Sequence, residues 1–219
     1  MYYYTYIINL KYICIDFETL KSAEVVKAVS TKLVEGDFAS FYVTNKVEAL
    51  AKIKELIPAG ASVMNGSSTS LNEIGFVDYL KSGEHDWINL HERVFAEPDQ
   101  AKQSKIRKEI TIADYHVGSV QAVTEEGEML IASGSGSNLP SIVFNAQNVI
   151  FVVSTNKIVK NLDEAMKRLN EYVWPQEDVR MKSVGYGGST ISKILIYKKE
   201  PKMMGRTCTV IFVDEKLGF

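Results

Sequence analysis

Two short runs of small polar residues have the composition of anion-binding loops. They stand at Gly66, Ser67, Ser68 and Thr69, and at Gly134, Ser135, Gly136, Ser137 and Asn138. Each run lies between a predicted strand and a predicted helix, where backbone N–H groups and hydroxyls can donate hydrogen bonds to a phosphate or a carboxylate. A plain capped turn uses the same residues, so one run alone would be weak evidence. Two runs at the carboxyl ends of strands in one predicted sheet favour a shared cleft for a small anion.

A polar pair follows the buried strand predicted at residues 148–153. Asn156 and Lys157 would place an amide and an ammonium group at the carboxyl end of that strand, which is a natural position for contacts to an anion. A solvated loop lysine is the alternative interpretation. We include both residues in the predicted ligand-binding set.

Two glutamates are the predicted catalytic carboxylates if the protein is an enzyme. Glu125 stands with Glu126 at the tip of a predicted hairpin, and Glu73 follows the first polar run. A carboxylate can act as a base or a nucleophile when the walls of a cleft desolvate it and raise its pKa. Most hairpin tips are simply acidic and hydrated, which is the competing interpretation for Glu125.

Several classes of site are disfavoured because their motifs are missing from the sequence. Neither polar run matches the GxxxxGK[ST] phosphate loop or the GxGxxG dinucleotide fingerprint. His85, His91 and His116 do not form a close pattern such as HxxxH, and no cysteine lies near them. We therefore expect no metal and no cofactor.

Alternating strand-like and helix-like segments position these residues. Apolar spacing predicts helices at 18–35, 46–57, 70–80, 98–112 and 162–173. Trp174 and Pro175 are predicted to end the last of these helices. Runs of β-branched or aromatic residues predict strands at 39–44, 61–64, 148–153 and 207–213. Residues 113–124 and 129–132 are predicted to form a β-hairpin. Ser70 and Glu73 have the spacing of a capping box. The alternation predicts an α/β protein with a mixed, largely parallel sheet flanked by helices.

Composition sets the broad class of the protein. The chain has 219 residues, of which 46% are hydrophobic, and 25 basic against 27 acidic side chains give a net charge of −2. This balance gives no general attraction to nucleic acid or to anionic lipid, so we expect neither as a partner. Only Cys14 and Cys208 occur, which favours a cytoplasmic location over a disulfide-stabilised extracellular one.

The opening segment is rich in tyrosine and apolar residues. Residues 1–15 are interrupted by Asn9 and Lys11 and are shorter than the roughly 20 residues that a membrane span needs. They also lack the basic region and the cleavage site of a signal peptide. An additional edge strand and a misassigned translation start remain equal alternatives.

Five blocks in order resemble the LUD (lactate utilization) domain family, the LutC/YkgG-like proteins. They are NGSSTSLNEIG at 65–75, AD at 113–114 with AVTEEG at 122–127, GSGSN at 134–138, NKIV at 156–159 and TVIFVDEKLGF at 209–219. The resemblance implies a single LUD domain over residues 20–219 and a Tyr-rich extension at 1–19. It also implies a fold of the glucosamine-phosphate deaminase, ribose-phosphate isomerase and CoA-transferase type.

The resemblance further implies a role in oxidising L-lactate to pyruvate, in which family members act beside iron–sulfur proteins. It does not imply that the LUD subunit itself is catalytic. Many relatives have a cysteine cluster before the last strand, whereas residues 181–190 contain none. Leu139 also replaces an arginine that often follows the asparagine of the third block, Asn138. A metal or redox centre of that kind is therefore not expected.

Three functions remain open from the sequence. The first is a lactate-utilization subunit, or a stand-alone protein, that binds a small anionic metabolite. The second is an enzyme resembling CoA transferases or sugar-phosphate isomerases, with Glu125 or Glu73 as the working carboxylate. The third is a non-catalytic interaction protein that docks through its Tyr-rich start or a sheet edge, either on an iron–sulfur protein or as a homo-oligomer.

Overall fold

A computed structural model describes residues 15–219, which form two β-sheets and the helices that cover them. The strands are β1 (Ala39–Val43), β2 (Ser62–Asn65), β3 (Ile88–Asn89), β4 (Tyr115–Gly118), β5 (Ala122–Thr124), β6 (Met129–Ser133), β7 (Asn148–Ser154), β8 (Ile158–Val159), β9 (Lys193–Tyr197) and β10 (Thr207–Val213). The α-helices are α1 (Ala23–Glu35), α2 (Lys46–Leu56), α3 (Thr69–Glu73), α4 (Phe76–Ser82), α5 (Leu90–Phe95), α6 (Gln100–Glu109), α7 (Leu162–Lys167) and α8 (Trp174–Ser183). Two π-helical segments occur at Ser141–Asn145 and Arg168–Val173.

The main sheet is parallel and has the strand order β1-β10-β7-β4-β2-β3. Its central strands β7 and β10 are buried almost throughout, as expected for a parallel sheet that is covered on both faces. The second sheet has the order β8-β5-β6-β9 and combines a parallel β5–β8 pair with antiparallel β5–β6 and β6–β9 pairs. The predicted α/β class with a largely parallel sheet is therefore confirmed.

Alternate residues of β7 divide the core between the two faces of the main sheet. Val149, Phe151 and Val153 pack against α1 and the second sheet, whereas Ile150 and Val152 pack against α2, α3 and α4. This division follows from the period of two along a strand. The second sheet thus covers one face of the main sheet, and the edge between them leaves room for a cleft.

Three predicted elements differ from the observed ones. The predicted helix 70–80 is broken at Gly75, which has φ 75° and separates α3 from α4. The predicted strand 113–124 is two strands, because β4 pairs in the main sheet while β5 forms the hairpin with β6 in the second sheet.

The third difference lies at the end of the predicted helix 162–173. The chain stays helical through the π-helical segment Arg168–Val173 and into α8, so Trp174 and Pro175 do not stop it. Pro175 stands in the first turn of α8, where a missing N–H disrupts least.

The predicted N-terminal extension at 1–19 lies mostly outside the described residues, and Cys14 lies outside them as well. Of its final part, Phe17 is buried in a cluster with β5, β6 and α7. Among residues 15–219 no helix has the length and apolar character needed to cross a membrane.

Candidate functional site

The two polar runs line one cleft of about 600 Å³. The first run follows the carboxyl end of β2, in the main sheet, and the second follows β6, in the second sheet. The prediction placed both in a single sheet, which is wrong, but the covering of one sheet by the other still brings them together. They meet at Gly66, where a Cβ atom would lie 3.6 Å from Asn138 Nδ2.

The floor of the cleft is formed by residues that follow three neighbouring strands of the main sheet. The loop after β2 leads to Ser70, Ser119 directly follows β4, and Lys157 lies in the 3-10 turn after β7. Because β2, β4 and β7 are adjacent and parallel, their carboxyl ends lie at one edge. Lys157 Nζ there donates to Ser70 Oγ at 3.0 Å and to Ser119 Oγ at 3.1 Å.

Lys157 is a buried amine without a carboxylate partner. Its exposed fraction is 2%, and no acidic side chain of residues 15–219 lies within ion-pair distance of its Nζ. Burial, with a smaller contribution from the charge of Arg168, lowers the pKa of Lys157 to about 7, although Glu73 acts in the opposite direction. Near neutral pH the amine therefore exists in both protonation states.

Arg168 is a second buried cation, close enough to Lys157 to affect its titration. Its side chain is fully buried, donates from Nη1 to the carbonyl oxygen of Gln121 and stacks over the Tyr172 ring at 5.1 Å. Its Nε and Nη2 atoms have no hydrogen-bond acceptor in the described part of the chain. Burial lowers the pKa of Arg168 to about 10, so the guanidinium remains charged at neutral pH.

Two imidazoles, those of His91 and His116, lie at or behind the wall of the cleft. His116 is fully buried on β4 with both ring nitrogens unpartnered among the described residues, and burial and the neighbouring His91 lower its pKa to about 3. His91 lines the cleft, and burial lowers its pKa as well. A Cβ atom on Gly66 would lie 3.9 Å from His116 Nε2. His116 is not among the lining residues, so the imidazole that this part of the cleft presents is that of His91.

Most of the predicted ligand-binding residues line the cleft. They are Gly66, Ser67, Ser68, Thr69, Gly134, Ser135, Ser137, Asn138 and Lys157. Gly136 does not line the cleft. It has φ 81° and packs against Lys193, and a Cβ atom added to Gly136 would lie 2.5 Å from Lys193 Cδ. Asn156 does not line the cleft either, because its buried amide donates to the carbonyl oxygen of Phe17 at 3.0 Å.

Neither predicted catalytic glutamate lines the cleft. Glu125 is exposed in the β5–β6 turn, and its backbone N–H donates to the carbonyl oxygen of Val159. The carboxylate of Glu73 accepts from the N–H of Gly218 at 2.7 Å. The predicted capping box is also wrong, since Ser68 is the N-cap of α3 and accepts from the N–H of Leu71. Geometry thus gives no support to a catalytic carboxylate at either position.

The sequence analysis missed Arg168, Ser70 and Ser119. A signal for Arg168 was present, because it stands three residues after Ala165 and next to Leu169, on the apolar side of the predicted helix. A charge at such a position indicates a buried polar site. The two serines carried no comparable signal, because their importance depends on where Lys157 lies.

The donor set of the cleft suits an anion. The lining side chains include the Lys157 amine, serine and threonine hydroxyls, the Asn138 amide and the His91 imidazole. The guanidinium groups of Arg107 and Arg180 also line the cleft, together with Glu177, which pairs with Arg180 at 2.6 Å. In the part of the chain that the structure covers, no three His, Cys, Asp or Glu side chains come together as metal ligands.

Comparison with known proteins gives two findings. The family model described as the LUD domain matches residues 26–213. A crystal structure of a DUF162 family protein from Deinococcus radiodurans resembles this fold with a TM-score of 0.50, at 12% sequence identity, over 89% of this chain and 99% of that one. At that identity the structure supports the fold alone. No curated protein matches the chain.

Proposed function

We propose, from the premise that the chain belongs to the LUD domain family, that it is a lactate-utilization-related protein whose cleft binds a small anionic metabolite. The ligand is a carboxylate or a phosphate, held by Lys157 and by the hydroxyl and backbone groups of the two polar runs. The finer assignment to lactate or pyruvate rests on the family name and is part of the proposal.

One observation carries the proposal: Lys157 is a buried amine that lines the cleft and has no anionic partner among residues 15–219. Burying an unpaired charge costs several kcal/mol, and buried charges in proteins are normally paired. Lys157 has only hydroxyl partners and Arg168 has one backbone carbonyl among residues 15–219. An anion in the cleft would supply a countercharge to Lys157 directly. It would compensate the nearby charge of Arg168, which does not line the cleft, only through space.

The walls of the cleft are consistent with a small polar ligand. Ser67, Ser68 and Thr69 face Ser135 and Ser137 across a space of about 600 Å³, which is within the range of small-molecule sites. Short hydroxyl side chains leave the backbone accessible and add donors that can turn toward an anion. The alternative of carboxylate-dependent acyl transfer has no corresponding observation, because Glu125 and Glu73 lie outside the cleft.

The test is a thermal-unfolding panel in a buffer free of phosphate and carboxylates. Lactate, pyruvate, inorganic phosphate and a sugar phosphate are added separately, and a ligand bound only by the folded state stabilises it by about 2.7 kcal/mol at a hundred times its Kd. Lys157→Met should weaken binding at least about tenfold, since a hydrogen bond to a charged group contributes roughly 1.5–3 kcal/mol. Lys160→Met, at an exposed lysine three positions along the chain, is the matched control. If no anion raises the unfolding midpoint, the proposal is refuted.

A further inference from the structure

The hydrogen bonds around Lys157 Nζ leave one of its tetrahedral positions unused. Ser70 Oγ accepts from Nζ and donates to the carbonyl oxygen of Leu217 at 3.3 Å. Ser119 Oγ also accepts from Nζ, and it lies 3.5 Å from the carbonyl oxygen of Val120. A neutral amine has two N–H bonds and one lone pair. Both N–H bonds are directed at serine oxygens that use their own hydrogens elsewhere, so the lone pair occupies the remaining direction.

A glycine lies beside the Lys157 amine and Ser70. At Gly218 a Cβ atom would lie 3.5 Å from Lys157 Nζ and only 2.6 Å from Ser70 Oγ. A larger residue would therefore displace Ser70 and crowd the amine. Gly218 also has φ 60°, in the left-handed region that favours glycine. Among the described residues the amine thus has two serine partners, a lone pair that they do not use, and a place in the lining of the cleft.

The surroundings also keep a large share of the amine neutral. No carboxylate among residues 15–219 pairs with Nζ, and burial together with Arg168 holds the pKa near 7. At pH 7 about half of the Lys157 side chains are neutral, compared with about one in 3,000 for a lysine of pKa 10.5. Only the neutral amine is a nucleophile.

We infer that Lys157 Nζ forms an imine with a small carbonyl compound that also carries an anionic group. This deepens the proposed function and rests on it, because the polar runs must hold the anionic group while Nζ reaches the carbonyl carbon. The shared ligand chemistry is that of a 2-oxo acid or of a phosphorylated ketone.

The step balances without an oxidant or a reductant. The lone pair of Nζ forms a C–N bond, the carbonyl π electrons move to oxygen, and a proton passes from nitrogen to that oxygen to give a carbinolamine. The C–O bond then breaks as the oxygen takes a second proton, from solvent, and leaves as water. The protonated imine that remains carries a positive charge on nitrogen, so in that form it compensates the neighbouring anionic group of the ligand as the protonated lysine would.

The experiment is reductive trapping followed by peptide mapping. The full chain is incubated with cyanoborohydride and either pyruvate, as the 2-oxo acid, or dihydroxyacetone phosphate, as the phosphorylated ketone. We expect one reduced adduct, on Lys157, formed at least about tenfold faster than any adduct on Lys160, because the cleft holds the anionic group of the ligand beside Lys157 and its amine is partly neutral at pH 7. Its rate should rise with pH and level off above about 7. Acetone, which lacks an anionic group, should label Lys157 weakly, and Lys160→Met should leave the adduct unchanged.

The outcomes separate this inference from the proposed function. A raised unfolding midpoint with pyruvate or dihydroxyacetone phosphate, but no adduct on Lys157, overturns the imine and leaves anion binding in place. No midpoint shift with any anion and no adduct overturns both. Equal labelling of Lys157 and Lys160 also overturns the imine. Lys157→Met should abolish the adduct, and the wild-type comparison with Lys160 decides the question even if that variant does not fold.

Discussion

Replacing Lys157 with methionine should stabilise the protein at neutral pH and destabilise it at high pH. Methionine fills a similar volume without a charge, so the variant removes the cost of burying the ammonium group. It also removes two hydrogen bonds, those to Ser70 and Ser119. The two effects have opposite signs, and only the first depends on pH.

The magnitude follows from the lowered pKa of Lys157. A tenfold change in proton affinity is worth about 1.4 kcal/mol. The fall in the pKa of Lys157 from 10.5 to about 7 therefore corresponds to roughly 5 kcal/mol of lost folding free energy. This cost is fully present below pH 7, where both states are protonated. Between pH 7 and 10.5 the unfolded state binds more protons than the folded state, so wild-type stability rises with pH and the cost disappears.

The energy of the two lost hydrogen bonds determines the pH at which Lys157→Met and the wild type are equally stable. Each contributes about 1 kcal/mol, so Lys157→Met should be more stable than wild type by roughly 2–3 kcal/mol at pH 7. The difference should vanish near about pH 9 and become a loss of roughly 2 kcal/mol at about pH 10.5. Other groups that titrate in this range are common to both proteins and cancel in the comparison.

Urea unfolding followed by tryptophan fluorescence, from pH 7 to pH 10.5, measures this difference directly. The chain has two tryptophans, Trp87 and Trp174, in separate parts of the fold. Lys160→Met, at an exposed site, should change stability by less than about 0.5 kcal/mol at every pH. A Lys157→Met variant that is less stable than wild type at pH 7, by an amount that does not vary with pH, would show that the amine is not desolvated as described.

Three further predictions concern other parts of the fold. Glu125→Gln should leave the anion-induced rise in unfolding midpoint unchanged in the thermal panel, because Glu125 lies outside the cleft; a lost rise would restore its predicted role. Arg206→Ala should lower the free energy of unfolding in urea by roughly 3–5 kcal/mol, because it leaves Glu200 buried without the ion-pair partner that lies at 3.2 Å. The control is Arg93→Ala, at an exposed ion pair, which should lower it by less than about 1 kcal/mol. Gly127→Ala should cost roughly 1–3 kcal/mol in the same assay, because Gly127 has φ 84° and a Cβ atom would lie 3.2 Å from the backbone of α1; a neutral result would contradict that packing.

Elements determined by local pattern were predictable from the sequence. The strand at 148–153 is β7 and the helix at 46–57 is α2, each to within a residue or two at its ends. A continuous apolar run and a helical period both report on burial of the segment itself. The same local pattern could not assign strands to sheets, which is why residues 113–124 were predicted as one strand rather than as β4 and β5.

The helix through Pro175 shows a different limit of local pattern. Proline usually ends a helix because it lacks an N–H and crowds the preceding turn. Here the π-helical segment Arg168–Val173 precedes it, and the chain remains helical into α8. That segment also carries Arg168 into the buried region beside Lys157. The local sequence contains the proline but not the packing that keeps the preceding turns wide.

For the site as well, features of local composition could be predicted from the sequence, whereas features that depend on long-range contacts could not. The polar runs were predictable because glycine and serine are distinctive in composition. The environment of Lys157 was not, because Ser70 and Ser119 lie 87 and 38 residues away in the chain. A lysine after a strand has the same sequence signal whether it points to solvent or is buried between two serines.

Two buried arginines in this fold differ in how completely the surrounding residues partner their charge. Arg206 donates to the carbonyl oxygens of Ala146, Val143 and Ile142 and pairs with Glu200. The fold can therefore supply both acceptors and a countercharge to a guanidinium that has only a structural role. Arg168 is buried at least as deeply and has a single carbonyl acceptor in the described chain. Arg168 therefore lacks the countercharge that Arg206 has. Because Arg168 does not line the cleft, an anion bound beside Lys157 would compensate its charge through space and not through a hydrogen bond.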